Sequence, residues 1–235
     1  MAPVSDEIIE GFRQIRLANV SDALNTLGLV GGLQGIKPVC QPASMLGRAY
    51  TLRYVPCGQD QGTVGDFMEE LSPGDVVVLD NSGRLDCTIW GYLLTVAAER
   101  NGVSGAVIEG ACRDLSIIRE AGFPVYARGV FMVTGKGKVM LESRQVPVAV
   151  GGVKVCPGDL IMGGESGVVC VPAGLAEKVL NKARRIKEAE DRAAAAVRRG
   201  KPLSLARAEV GYHWLQAVED TEDRHRAASD ARKGD

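Results

Sequence analysis

Histidine is nearly absent from this 235-residue chain, with only His213 and His225, and aromatic residues make up only 5% of it. The six cysteines, Cys40, Cys57, Cys87, Cys112, Cys156 and Cys170, are scattered and none forms a C-x-x-C pair. Together these shortages argue against a zinc site of the Cys/His type. Few aromatics also weaken any role in stacking nucleic-acid bases. The formal net charge is −1, so no general nucleic-acid or membrane surface is implied. No apolar run reaches the roughly 18 residues of a membrane span. The opening MAPVSDEIIEGF has no apolar core of signal-peptide length. These absences lead to an expectation of a reduced, cytoplasmic enzyme or binding protein, with no nucleic-acid or membrane partner.

What is present is a chain able to bury one large core. Hydrophobic residues make up 46% and charged residues 24%, the balance of a globular protein. Ser5-Asp6-Glu7 opens an amphipathic stretch in the manner of a helix cap, and Val20-Ser21-Asp22-Ala23-Leu24 opens a second short helix ending near Gly28. Arg48 to Val55 alternates and stops at Pro56, which predicts a strand. Pro73-Gly74-Asp75 is a turn that launches the apolar strand Val76–Asp80. Helical spacing follows over Trp90–Arg100, then a strand over Gly105–Glu109, a short helix over Leu115–Ala121 and a strand from Pro124 to Ala127. That rhythm predicts parallel βαβ units.

From Val146 to Pro172 the chain is cut into short β runs, read as an antiparallel or mixed sheet packed onto the first. Within it, Pro157-Gly158-Asp159 echoes Pro73-Gly74-Asp75 as a similar turn. A charged helix then runs from Ala173 to Arg199-Gly200, and another from Leu203 to about Val218 after Pro202. The predicted organisation is an α/β domain over 1–200, followed by a C-terminal helical arm and polar tail over 201–235.

In parallel α/β sheets, ligands bind beyond the carboxyl ends of strands. One such end carries Gly110-Ala111-Cys112-Arg113-Asp114. Arginine presents a planar fork of donors that grips a carboxylate through two bonds. Aspartate is a hard oxygen ligand of the kind Mg²⁺ or Mn²⁺ prefers, and at the start of a helix it can equally be an N-cap. The other end leads through Asn81-Ser82-Gly83-Arg84 to a helix opening at Gly91-Tyr92-Leu93-Leu94. Unpaired amides at a helix start favour an anion. Taken together, the two ends describe a pocket for a small oxo acid. Asp80, Arg84 and Asp86 are expected on a loop facing it or in solvent. Cys112, beside Arg113, is a lesser candidate for a lowered thiol pKa, and with no histidine nearby a packed small residue is the favoured reading. Gly135-Lys136-Gly137-Lys138 has half the look of a phosphate loop and reads as a turn.

The ordered set Gly74–Val78, Trp90–Leu94, Gly110–Asp114, Gly122–Val125, Gly151-Gly152-Val153, Pro157–Asp159 and Gly167–Val169 resembles the family of class II 4-hydroxy-4-methyl-2-oxoglutarate aldolases and RraA-like regulators of ribonuclease E. The resemblance implies a swivelling β/β/α sandwich, assembled as homotrimers or homohexamers. It implies a lyase dependent on Mg²⁺ or Mn²⁺ that cleaves a 4-hydroxy-2-oxo acid to pyruvate and decarboxylates oxaloacetate. On that basis Arg113 holds the substrate, Asp114 ligates the metal, and the backbone at Gly91, Tyr92, Leu93 and Leu94 holds the pyruvyl carboxylate. A glutamate from a neighbouring subunit's C-terminal helix is also implied, and Glu188 matches best, with Glu190 close behind. The chain departs from the family in carrying Tyr92 where the aldolases usually have an acid, and Gly164-Glu165-Ser166 where they have an Asp-rich turn. Two other expectations therefore stand beside the lyase: a non-catalytic regulator that binds protein, and a family enzyme whose changed chemistry uses Tyr92.

Overall fold

Four strands whose side chains are largely buried on both faces form the centre of the main sheet, as expected where helices or a second layer cover each side of a parallel sheet. The computed structural model describes residues 3–40, 44–59 and 62–215. By contact these form two compact units, one of residues up to Ile9 plus Gly32–Ala176, the other of Glu10–Gly31 plus the residues from Glu177 onward. The polar tail predicted from Glu219 lies outside the described residues.

The first unit contains β1 (Lys37–Pro38), β2 (Met45–Pro56), β3 (Asp75–Thr88), α3 (Tyr92–Arg100), β4 (Gly105–Cys112), α4 (Leu115–Ala121), β5 (Val125–Val130), β6 (Val139–Arg144), β7 (Val148–Val150), β8 (Val153–Val155), β9 (Leu160–Gly164) and β10 (Gly167–Val171). The main sheet has the order β1-β5-β4-β3-β2-β9-β10, with β6 also on β2. The pairs β2/β3, β3/β4 and β4/β5 are parallel, so the βαβ expectation holds. Alternate side chains feed two cores. Val77, Leu79, Ala106 and Ile108 face one, with Trp90 and Phe123 stacked within it at 5.9 Å. Val76, Val78 and Val107 face the other, with Val148, Val150, Val153 and Val155 of β7 and β8.

Two expectations change. The β runs from Val146 to Pro172 do not form one separate sheet. β9 and β10 extend the main sheet, β9 pairing antiparallel with Met45–Arg48 of β2. Only the hairpin of β7 and β8 stands apart. β2 is 12 residues long, and its outer edge is shared, Met45–Arg48 pairing with β9 and Leu52–Pro56 with β6, the latter ladder shifting register at Arg53/Tyr54. An unpaired edge of that length would otherwise be a template for aggregation. The strand from Val76 also does not stop at Asp80. β3 continues to Thr88 through two register shifts against β4.

The two Pro-Gly-Asp turns are built alike. Gly74 and Gly158 take φ of 86° and 80°, a left-handed conformation that suits glycine. In each turn the aspartate accepts the backbone N–H three residues earlier at 2.8 Å, Asp75 from Ser72 and Asp159 from Cys156.

The second unit is helical. Its elements are the end of α1 (Asp6–Phe12), from Glu10 on, then α2 (Leu17–Thr26), α5 (Ala176–Arg198) from Glu177 on, α6 (Leu203–Glu209) and α7 (Tyr212–Leu215). The helix expected from Leu203 to about Val218 is broken at Gly211, where φ is 63°. Within this unit Glu190 accepts hydrogen bonds from Asn19 at 2.7 Å and Arg16 at 3.0 Å. Asp191 is paired with Lys187 and Arg16, which lower its pKa. Among the described residues no helix is long and apolar enough to cross a membrane.

Candidate functional site

Beyond Thr88, the chain passes through Ile89 and Trp90 to Gly91, where α3 begins. The start of α3 is anchored from inside. Trp90 Nε1 donates to Thr95 Oγ1 at 3.0 Å, and Thr95 Oγ1 donates to the Gly91 carbonyl at 3.0 Å. Thr95 is fully buried, so this pair holds the first turn of the helix against the core.

On the neighbouring strand, β4 runs to Cys112, so Gly110, Ala111 and Cys112 are buried strand and not turn as expected. Only Arg113 and Asp114 connect β4 to α4. The Arg113 N–H donates to the Trp90 carbonyl at 3.0 Å, which ties this connection to the entry of α3. Asp114 sits at the N-cap position of α4 with φ 61°, a left-handed conformation that aspartate tolerates better than most residues. Its carboxylate does not cap α4. Instead Oδ2 accepts the backbone N–H of Tyr92, the first residue of α3, at 2.9 Å. Arg113 Nε lies 3.5 Å from the same oxygen.

Gly91 makes this approach possible. A Cβ on Gly91 would stand 2.6 Å from Asp114 Oδ2 and 3.1 Å from Arg113 Cγ. The close contact of the two strand ends therefore depends on a missing side chain. Gly91 has no capping side chain of its own, and Asp114 satisfies one of the orphan amides that a helix start leaves. The Tyr92 amide is thus already engaged, while the Tyr92 side chain remains 46% exposed.

These residues border one pocket of about 820 Å³. Gly91, Tyr92, Leu93, Leu94, Arg113 and Asp114 all line it, so the two strand ends singled out in the sequence meet. Asp66, Thr63, Thr88, Thr134 and Lys136 line it too, and the sequence reading did not place any of them there. Lys136 falls in the glycine-flanked turn, which is a turn as expected. It reaches the pocket because Thr134 bridges Thr88 across the sheet, a pairing with no local signal.

Asp80, Arg84 and Asp86 do not line the pocket. Arg84 and Asp86 pair with each other on the surface at 2.7 Å, and Asp80 Oδ1 accepts the Ser82 N–H at 2.9 Å. Both follow from the continuation of β3, which carries these residues along the sheet and away from the helix start. Cys112 is fully buried, and burial pushes its thiol up to about 12, the opposite of an activated nucleophile. Glu188 is exposed on α5, in the second unit.

A divalent cation can be tested against these side chains. Among the described residues, no group of three or more His, Cys, Asp or Glu residues could hold an ion. Mg²⁺ keeps several waters and uses one or two carboxylates together with substrate oxygens. Asp114 meets that need. It is a half-buried carboxylate on the pocket wall, and its Oδ1 makes no hydrogen bond among the described residues while Oδ2 is fixed.

Comparison with known proteins agrees with the fold and with the family resemblance. The family model for RraA-like proteins, described as Aldolase/RraA, matches residues 17–170. Protein DlpA of Legionella pneumophila is 38% identical over 204 residues, which is 84% of this chain but 33% of that protein, so the chain spans about a third of its length. A Halalkalibacterium halodurans protein named "Putative 4-hydroxy-4-methyl-2-oxoglutarate aldolase" is 38% identical over 195 residues, covering 82% of this chain and 89% of its own. The crystal structure of an uncharacterized protein from Pseudomonas syringae pv. tomato superposes with a TM-score of 0.83 at 35% identity, covering 88% of this chain and 100% of that one. With a model matched over most of its length and relatives of this identity, the chain belongs to the RraA-like family.

Proposed function

We propose that the chain is a divalent-metal-dependent carbon–carbon lyase that cleaves a 4-hydroxy-2-oxo acid to pyruvate and also decarboxylates oxaloacetate. One observation carries this reading. A carboxylate and a guanidinium, Asp114 and Arg113, are held together at the mouth of a helix start on a pocket of about 820 Å³. That volume lies within the range of small-molecule sites. The name of the Halalkalibacterium relative supports the reaction class.

Each part has a physical role. Arg113, 41% exposed at its side chain, presents its fork to the substrate carboxylate or keto oxygen. The Leu93 and Leu94 amides, in the first turn of α3, favour the pyruvyl carboxylate through their unpaired N–H groups and the helix dipole. Both act as preorganised positive potential where charge develops as the C3–C4 bond breaks. Mg²⁺ or Mn²⁺, held by Asp114 with water and substrate oxygens, would supply Lewis-acid stabilisation of that same charge. No Schiff-base lysine is required. The Tyr92 side chain offers the pocket a hydroxyl group. In this reading the chain works as a homotrimer or homohexamer in the cytoplasm, and Glu188 serves the pocket of a neighbouring copy.

The test is pyruvate release from oxaloacetate and from 4-hydroxy-4-methyl-2-oxoglutarate, with Mg²⁺ or with EDTA, for the wild type and Asp114→Asn. Release only by the wild type with Mg²⁺ is expected. Equal rates in every arm would sink the metal-lyase reading. No release in any arm would favour a protein-binding regulator, or a reaction of another kind that uses Tyr92.

A further inference from the structure

The lyase reading leaves one step without a group. Cleavage needs a proton taken from the C4 hydroxyl and a proton delivered to C3. Asp114 has Oδ2 fixed by the Tyr92 amide and Arg113, and in that reading its other oxygen holds the cation. Tyr92 is a phenol, and phenols are weak bases at neutral pH. No histidine lines the pocket.

The segment from Gly62 to Phe67 supplies another carboxylate. Its backbone is held at successive points. The Leu141 N–H donates to the Thr63 carbonyl at 2.8 Å, and Tyr54 Oη donates to the Val64 carbonyl at 2.7 Å. The Gly65 N–H donates to Thr63 Oγ1 at 3.2 Å. Arg144 Nη2 donates to the Asp66 carbonyl at 2.6 Å. Phe67 and Met68 behind it are buried. The backbone on both sides of Asp66 is therefore fixed, while its side chain is exposed. The Asp66 carboxylate makes no hydrogen bond or ion pair among the described residues, yet it lines the same pocket as Arg113, Asp114 and the start of α3. Asp66 and Asp114 are the two acidic residues among those lining the pocket.

We propose that Asp66 is the catalytic residue that moves the proton in this reaction, an inference that rests on the lyase reading. Its carboxylate takes the C4 hydroxyl proton. The O–H pair becomes the new C4 carbonyl, and the C3–C4 pair passes into the enolate. The protonated Asp66 then returns that proton to C3, giving pyruvate and restoring the carboxylate. When oxaloacetate loses CO₂, the second half alone operates, and the proton for C3 comes from solvent through Asp66.

Exchange of pyruvate methyl protons in D₂O isolates the C3 step and is followed by NMR on the full chain with Mg²⁺. The wild type should exchange, and Asp66→Asn should slow exchange by at least about 10²-fold. Binding of oxalate, a stable mimic of the enolate, should stay within about twofold by calorimetry. Asp66→Glu, which keeps a carboxylate, should retain part of the exchange and guards against loss of fold in the amide variant. Wild-type exchange rates in Asp66→Asn would overturn the proposal. So would lost oxalate binding in a folded Asp66→Asn, because Asp66 would then be holding substrate or metal. If the wild type neither exchanges nor releases pyruvate, the lyase reading itself has failed.

Discussion

Asp114 caps a helix that is not its own: its Oδ2 accepts the Tyr92 N–H at 2.9 Å across the gap between two strand ends. The bond joins the two βα connections that line the pocket, and it fixes one oxygen of the carboxylate while leaving the other open to it. Structural and chemical roles of Asp114 can therefore be separated by substitution.

Asp114→Asn keeps an oxygen to accept the Tyr92 amide, and asparagine tolerates the left-handed backbone at φ 61°. Its thermal unfolding should match the wild type, while Mn²⁺ binding followed by electron paramagnetic resonance should be lost. Unchanged Mn²⁺ binding would place the cation elsewhere.

Gly91→Ala puts a Cβ 2.6 Å from Asp114 Oδ2 and 3.1 Å from Arg113 Cγ. Neither can stay where it is. A displacement of this size in a catalytic pair costs about 10²-fold in rate. Steady-state kinetics should show that loss with the circular dichroism spectrum unchanged. Wild-type kinetics would mean that the observed pairing is not the working geometry.

Thr95→Val removes the oxygen that accepts Trp90 Nε1–H inside the core. An orphaned buried donor costs about 1–3 kcal/mol. Tm should fall by about 2–10 °C, while Thr95→Ser, which keeps the hydroxyl, should fall less. An unchanged Tm for Thr95→Val would show that the indole finds another partner.

Stability should decline in alkali. Burial pushes the Cys112 thiol from 9.0 up to about 12, and burial also raises Cys170, Tyr54 and Tyr126. The folded values lie above the unfolded ones, so the unfolded chain releases these protons first. The stability tied to Cys112 is therefore complete below pH 9.0 and lost as pH rises towards about 12. Denaturant midpoints should be lower at about pH 10.5 than at about pH 8. A thiol reagent applied to native protein at about pH 8 should leave Cys112 unlabelled. A flat midpoint or rapid labelling would contradict the burial of this thiol.

Much of the fold is legible from local pattern. The unbroken run Val76–Leu79 and the strand from Gly105 read as central parallel strands because both faces are apolar. The Pro-Gly-Asp turns read alike and fold alike because glycine and aspartate set the same φ and the same hydrogen bond. What local pattern could not show is where a strand stops when its neighbour still offers pairing. β3 runs on to Thr88 by bulging, and this takes Asp80, Arg84 and Asp86 away from the pocket. β9 joins the main sheet because β2 has an open edge of matching register.

The candidate site divides in the same way. The sequence by itself determined that Arg113 and Asp114 follow a central strand and that a helix begins at Gly91. Residue chemistry and periodicity are local, and both sit within a few neighbours. Only the tertiary structure decided that Asp114 turns to α3 and not to α4, that Cys112 is shut inside the core, and that Asp66 and Lys136 reach the same pocket. Those outcomes depend on distances between segments far apart in the chain. Sheet register and side-chain packing set such distances, and no window of neighbouring residues contains them.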